Sequence, residues 1–341
     1  MNYEKILPMH YPVITSYPTH ANILSCVMQY EDSLQWFYDY YIQLFGGRDV
    51  SQGCYMDFFA PISWKSCPWI NYQRISRDLI AKKWDSITEF FIECINSGYY
   101  LFLYLDQFHI PDSDPYQDYH FMHDTFIFGY NTQENSFNVA DFYKNSKYGY
   151  GTVSFSQLED AYNDASNINS QYDFLQGIVL IKPVKYEGYT CNTNTIATFL
   201  NDYLLARTTS KGYTDGYRPD VEHHKEMWCF GVDVYELLMN HIETCFADNS
   251  IEVKSFHALV DHKTLMLMRI KHLSECKYLS NANLVYDGYK EIEKQTLVLR
   301  NTVIKYVLSK NEKTIKSAMD LIPRIKIKEQ QVIETFLDNL K

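Results

Sequence analysis

The stretch His120-Phe-Met-His123-Asp-Thr-Phe-Ile-Phe-Gly129-Tyr130-Asn131, followed by Ser136-Phe-Asn-Val-Ala-Asp141, constrains this chain more than any other. A histidine opens an apolar run of strand character, and a second short strand delivers a carboxylate. The spacing predicts a β-hairpin closed at Gly-Tyr-Asn, with Asp141 beside His123. A carboxylate in that position fixes one imidazole tautomer and orients the ring for base catalysis.

The elements around the hairpin follow from periodicity. Tyr99 to Leu105 is a short continuous apolar run, the pattern of a buried central strand. Pro18 with Thr19 as N-cap predicts a helix through His20, Cys26 and Gln29. Asp32 to Phe45 reads as a second helix stopped by Gly46-Gly47, and helical spacing returns at Arg74 to Ala81 and Ser86 to Asn96. Ser156-Gln-Leu-Glu159 is a capping-box pattern that starts a helix, and a strand near Phe174 to Pro183 closes the first domain. Beyond Lys185 helical periodicity dominates, at 192–206, 219–246, 256–273, 284–309 and 318–340. The expected class is α+β: an N-terminal domain over 1–187 of helices plus an antiparallel sheet, then a helical C-terminal domain over 188–341.

A histidine, five residues, Gly-Tyr, and an Asp twelve residues after the Gly resemble the His/Asp half of papain-like folds. The resemblance is closest to the double-glycine-leader peptidases and to the acyltransferase family of butirosin biosynthesis protein H, and covers roughly Tyr11 to Pro183. It implies a papain-like N-terminal domain with the chain order Cys, His, Asp, the Cys at a helix start. Carried over, Cys26 is the nucleophile, His123 the general base and acid, Asp141 the group that orients the ring, and His20 an oxyanion-hole donor. The implied activity is acyl transfer (acyltransferase, thioesterase or amide hydrolase) on a carrier-bound or peptidyl acyl group in bacterial natural-product biosynthesis. The implied partners are a small-molecule or peptidyl substrate and an acyl carrier protein.

The nucleophile is where the residues and the family pattern diverge. A papain-like thiolate stands at a helix N-terminus, where the helix dipole and free N–H groups lower its pKa. With the helix beginning after Pro18, the first-turn positions hold His20, Ala21 and Asn22, and Cys26 falls in the second turn. A later helix start would bring Cys26 to the end and leave His20 six residues upstream. Two alternatives stay open: a non-catalytic binding or accessory protein that has lost its nucleophile, and general acid/base chemistry by His20 and His123 without a thiol.

A formal charge of −11, with no Lys/Arg-rich run, argues against a nucleic-acid partner. No apolar run approaches the length of a membrane span. Eight cysteines show no C-x-x-C pair, and the first residues have neither a basic nor an apolar signal region, so free thiols in a cytoplasmic protein are expected. Thirty Tyr and twenty Phe suit a core, a ligand cleft or a homodimer surface. The loop from Asp106 to His120 is long enough to form a cleft rim. Its His109, Asp112, Asp114 and His120 lack metal-ligand spacing, so neither a metal nor a cofactor is expected. His223-His224 and the i,i+4 pair His257/Asp261 read as surface or structural groups.

Overall fold

A computed structural model describes residues 3–51, 53–60, 62–143, 146–166, 177–209, 225–247 and 250–341. The chain is α+β with antiparallel sheets. It divides into two compact units, 1–31 with 64–187, and 32–63 with 188–341.

The first unit is built on a seven-stranded sheet. Its strands are β1 (Glu4–Ile6), β4 (Ile70–Ile75), β5 (Tyr100–Asp106), β6 (Met122–Asn131), β7 (Ser136–Tyr143), β8 (Lys147–Ser154) and β9 (Ile178–Pro183). They run in the order β4-β9-β5-β6-β7-β8, with β1 paired to β6. The hairpin β6–β7 is longer than expected. Gly129-Tyr130-Asn131 stays in the strand, and the turn falls at 132–135, where Asn135 takes φ 50°. Gly129 is where β1 crosses: a Cβ there would stand 2.7 Å from Asn138 Oδ1 and 2.9 Å from the Lys5 carbonyl. The glycine thus marks close backbone approach beside a bulge in the β6–β7 register.

Helices cover both sheet faces. α1 (Pro18–Val27) has Tyr17 as N-cap and Pro18 in the first turn, in place of the expected Thr19 cap. Its Ser25 and Asn22 hydrogen-bond the Tyr148 hydroxyl, at 3.1 and 2.8 Å. Tyr148 is the Cα partner of Phe142, so α1 lies on the face that carries Phe142, Ala140 and Phe126. After the short helix α3 (Arg77–Ala81), the opposite face is covered by α4 (Ile87–Asn96) and α5 (Phe155–Ser166), whose Phe91 and Phe155 rings meet Phe137. The capping box of α5 sits two residues earlier than expected. Ser154 Oγ accepts from the Gln157 N–H and Gln157 Oε1 accepts from the Ser154 N–H, both at 3.2 Å.

The second unit takes residues 32–63 away from the N-terminal half, unlike the expected split at 187/188. Pairing is the reason. The segment expected as one helix to Phe45 is α2 (Leu34–Tyr40) followed by strand β2 (Leu44–Gly47). β2 lies between β3 (Met56–Phe58) and β10 (Trp228–Phe230) in a three-stranded antiparallel sheet. Gly46 does not stop a helix; a Cβ there would strike the Leu237 side chain and the Tyr55 carbonyl. Around this sheet stand α6 (Thr193–Leu204), α7 (Val234–Cys245), α8 (Lys254–Glu275), α9 (Ala282–Ser309) and α10 (Glu312–Asn339). The expected helix over 219–246 is therefore a strand and a shorter helix over its described part, and His223-His224 lie outside the described residues.

A buried polar cluster ties these helices together. Lys263 Nζ donates to Glu329 at 2.6 Å, to the Tyr203 hydroxyl at 3.0 Å and to His262 Nδ1 at 3.0 Å. Glu329 also accepts from the hydroxyls of Tyr203, Tyr235 and Tyr289. His262 donates through Nε2 to the Ile42 carbonyl at 2.7 Å. Arg269, fully buried, caps α2 by donating to the carbonyls of Tyr38 and Tyr41 at 2.5 and 2.7 Å. His257 stands 3.8 Å from Asp261 and meets Arg300 Nη1 at 3.1 Å through Nδ1, a helix-pairing contact.

Candidate functional site

β-Strand alternation sets the first group of the site. Phe126 pairs with Ala140, so Thr125 and Asp141 project together from the opposite face, and His123 follows two residues along the same strand. His123 Nδ1 donates to Asp141 Oδ1 at 2.9 Å. Asp141 is fully buried and accepts three further hydrogen bonds: from Thr125 Oγ1 at 2.8 Å, Gln107 Nε2 at 2.9 Å and the Phe142 N–H at 2.7 Å. Four donors aimed at one carboxylate hold it in a single orientation. The ring is thereby fixed with Nε2 as its other nitrogen, 3.7 Å from Asp124 Oδ1, in a side chain that is 25% exposed. Phe121 stacks on the ring at 5.7 Å between centroids, and both Phe121 and Tyr119 are exposed beside it.

Cys26 is not brought to this pair. It lies on α1, on the face of Tyr148 and Tyr100, while His123 and Asp141 point from the other face. Its thiol donates back to the Ile23 carbonyl at 3.2 Å within the helix, is fully buried, and is pushed far above the usual thiol range by that burial. The expected Cys26–His123 contact is thus replaced by a sheet between the two side chains. His20 belongs to the same helix, buried, with its ring edge-on to Tyr17 at 6.4 Å. The helix that was to supply nucleophile and oxyanion donor covers the wrong face for both. Asn22 Nδ2, also buried on this helix, has no hydrogen-bond partner among the described residues.

A second polar group stands at the same end of β5. Asp106 Oδ1 accepts from the N–H groups of Phe108 and Phe121, both at 3.1 Å, and Oδ2 meets His120 Nδ1 at 2.5 Å. The buried Asp106 partner raises the pKa of the His120 imidazole above its ordinary value, first through the hydrogen bond and then through charge. His109 Nε2 meets Asp164 Oδ2, from α5, at 2.7 Å. One ligating atom each from Asp106, His109 and Asp164 lies within 4.8 Å of the others. In the sequence His109, Asp112, Asp114 and His120 show no ligand spacing, and of these only His109 stands in this cluster. Asp106 and Asp164 come from a strand end and a helix, so no local interval reports them. Gln107 and Thr125 were missed as well; Thr125 had a signal, since it shares the strand face of His123 at i+2.

No protein-family model matches the chain, and no curated protein matches it significantly.

Proposed function

We propose that this chain is a papain-like protein that works without a thiol of its own, with the His123–Asp141 pair as a general base toward bound acyl groups. The observation that carries the reading is the buried carboxylate of Asp141, held by Gln107, Thr125 and the Phe142 N–H while it fixes His123 Nδ1. Support for the scaffold comes from the order of elements: a buried helix, then a central strand, then an antiparallel hairpin that carries His and Asp.

In this reading His123 Nε2 takes a proton from water, an alcohol or an amine as its oxygen or nitrogen attacks the acyl carbonyl of a thioester, ester or amide. The imidazolium then returns that proton to the departing thiolate, alkoxide or amine, and Asp141 stabilises the charged ring in between. Phe121 and Tyr119 give an apolar rim for the acyl portion of a small-molecule, peptidyl or carrier-bound substrate.

The test is a panel of acyl nitrophenyl esters and acyl N-acetylcysteamine thioesters, offered with water and with amine acceptors to wild type, Cys26→Ala, His123→Ala and Asp141→Asn. Turnover kept in Cys26→Ala and reduced at least ~100-fold in His123→Ala is the expected outcome. Loss in Cys26→Ala would restore the cysteine enzyme. No turnover by any form, with substrate binding kept in His123→Ala, would leave the accessory binding protein, which the exposed Phe121 and Tyr119 beside the ring also favour.

A further inference from the structure

The geometry points to a divalent transition-metal site formed by Asp106, His109 and Asp164, with His120 as fourth ligand, at the end of β5. The site shares no ligand with the His123–Asp141 pair.

Three separate elements deliver the donors. Asp106 ends β5, His109 closes the short 3-10 turn Gln107–His109, and Asp164 stands on α5. Asp106 is the anchor: its side chain is 1% exposed, and its Oδ1 is occupied by two backbone N–H groups. Oδ2 is therefore held in one direction, which is what a rigid first ligand requires. Exposure of 64% at His120 and 43% at Asp164 leaves an entry route for an ion.

In the structure the two His/Asp contacts are hydrogen-bonded, at 2.5 and 2.7 Å between nitrogen and oxygen. A bound ion replaces those hydrogen bonds, and metal–ligand bonds of about 2.0–2.2 Å place donors roughly 3.4 Å apart around a tetrahedron. Asp106, His109 and Asp164 span up to 4.8 Å and His120 stands outside that group, 2.5 Å from Asp106 Oδ2, so rotation of the exposed Asp164 carboxylate and of the His120 ring is what closes the site. Two imidazole nitrogens and two carboxylate oxygens suit Zn2+ among the first-row ions, with Mn2+ and Fe2+ weaker by the usual order. A purely structural role would need only the two hydrogen-bonded pairs. It would not need Asp106 and Asp164, which belong to different pairs, to bring ligand atoms within 4.8 Å of each other.

The test uses the full chain, stripped with chelator and titrated with Zn2+ alone in competition with a chromogenic chelator. The expected result is one ion per chain with micromolar or tighter affinity, weakened at least tenfold in Asp164→Asn and in His109→Ala. Asp164 is exposed enough that its amide variant keeps the fold, which thermal melts of each variant verify. Co2+ added to the same protein should give visible bands of a nitrogen/oxygen site without a sulfur charge-transfer band. That band matters because His272 and the exposed Cys276 form another pair, at 3.6 Å. No stoichiometric ion, an affinity unchanged in Asp164→Asn, or binding abolished by Cys276→Ser would each overturn the assignment.

Discussion

Cys26 and His123 stand on opposite faces of one sheet. Tyr148, which hydrogen-bonds α1 through Ser25 and Asn22, pairs with Phe142, and the neighbouring Asp141 turns the other way to hold His123. A change of rotamer does not cross a hydrogen-bonded sheet, so the chemistry of the thiol and that of the imidazole are separable by experiment.

Cys26 should resist iodoacetamide from pH 5 to 9 in the folded protein, since its thiol is buried and held far from ionisation. Cys276, the one exposed cysteine, should react first. Peptide mapping after short exposures checks both. Cys26→Ala should cost about 1–2 kcal/mol through the small cavity it leaves. Alkylation of Cys26 at neutral pH without unfolding would defeat this account.

Asp141→Asn should be damaging in two ways. An amide cannot accept from all four donors now aimed at the carboxylate, so a stability loss of about 2–4 kcal/mol is expected in denaturant titrations. The His123 ring also loses its fixed tautomer, which NMR of the imidazole nitrogens reads directly. Thr125→Val removes one donor to Asp141 and the acceptor of one Gln107 hydrogen bond, and should cost about 1–2 kcal/mol with the tautomer unchanged. Equal tautomer distributions in wild type and Asp141→Asn would contradict the orienting role.

What the sequence disclosed, and what it hid, divides along the range of the interactions. His123 and Asp141 were legible because a hairpin is local: alternation and a short connection decide which side chains meet. Helix identity was legible where an apolar stripe or a cap existed, as at Ser86 before α4 and Asn192 before α6. The failures are long-range. Residues 41–47 carry apolar residues that fit a helix, yet pairing of β2 with β3 and β10, more than 180 residues on, makes them a strand. Nothing near Cys26 reveals which face of the sheet its helix will cover. The spacing placed the cysteine in the second turn, but the separation from His123 depends on contacts of Asn22 and Ser25 with Tyr148, over 120 residues away. Asp106 and Asp164 were invisible as a pair for the same reason.

Removing one partner of Lys263–Glu329 should destabilise strongly, because both side chains are fully buried and three tyrosine hydroxyls share the carboxylate. Lys263→Met is expected to cost about 3–5 kcal/mol, the usual price of an unpaired buried charge. Glu329→Gln, which keeps an acceptor for the tyrosines, should cost less alone and recover part of the loss when combined with Lys263→Met. A double-mutant cycle in guanidinium measures that coupling; additive losses would show that the pair does not act as a unit.

Stability of the second unit should fall as pH drops from about 6.5 to 5, and the sign follows from three histidines. His262, His241 and His272 are all held below the ordinary imidazole value, chiefly by burial; His262 is also opposed by the Lys263 and Arg269 charges. Lys263, lowered by burial against the pull of Glu329, has the same sign of effect, beginning at its own alkaline ordinary value. Above about pH 6.5 these imidazoles are neutral folded or unfolded, and they cost nothing. As pH falls through that value the unfolded chain takes up protons that the folded chain refuses, up to about 1.4 kcal/mol per pH unit for each histidine. Asp39 works against this, because burial raises its carboxyl above the usual range and lets the folded chain bind a proton first on acidification. Denaturant midpoints should therefore hold between pH 8 and pH 7 and decline at pH 6 and pH 5, with a shallower slope in His262→Gln, which retains a donor for the Ile42 carbonyl. Asp39→Asn should steepen the decline by removing the opposing group. A flat profile in wild type, or an unchanged slope in His262→Gln, would show that these imidazoles are protonated as readily in the folded chain as in the unfolded one.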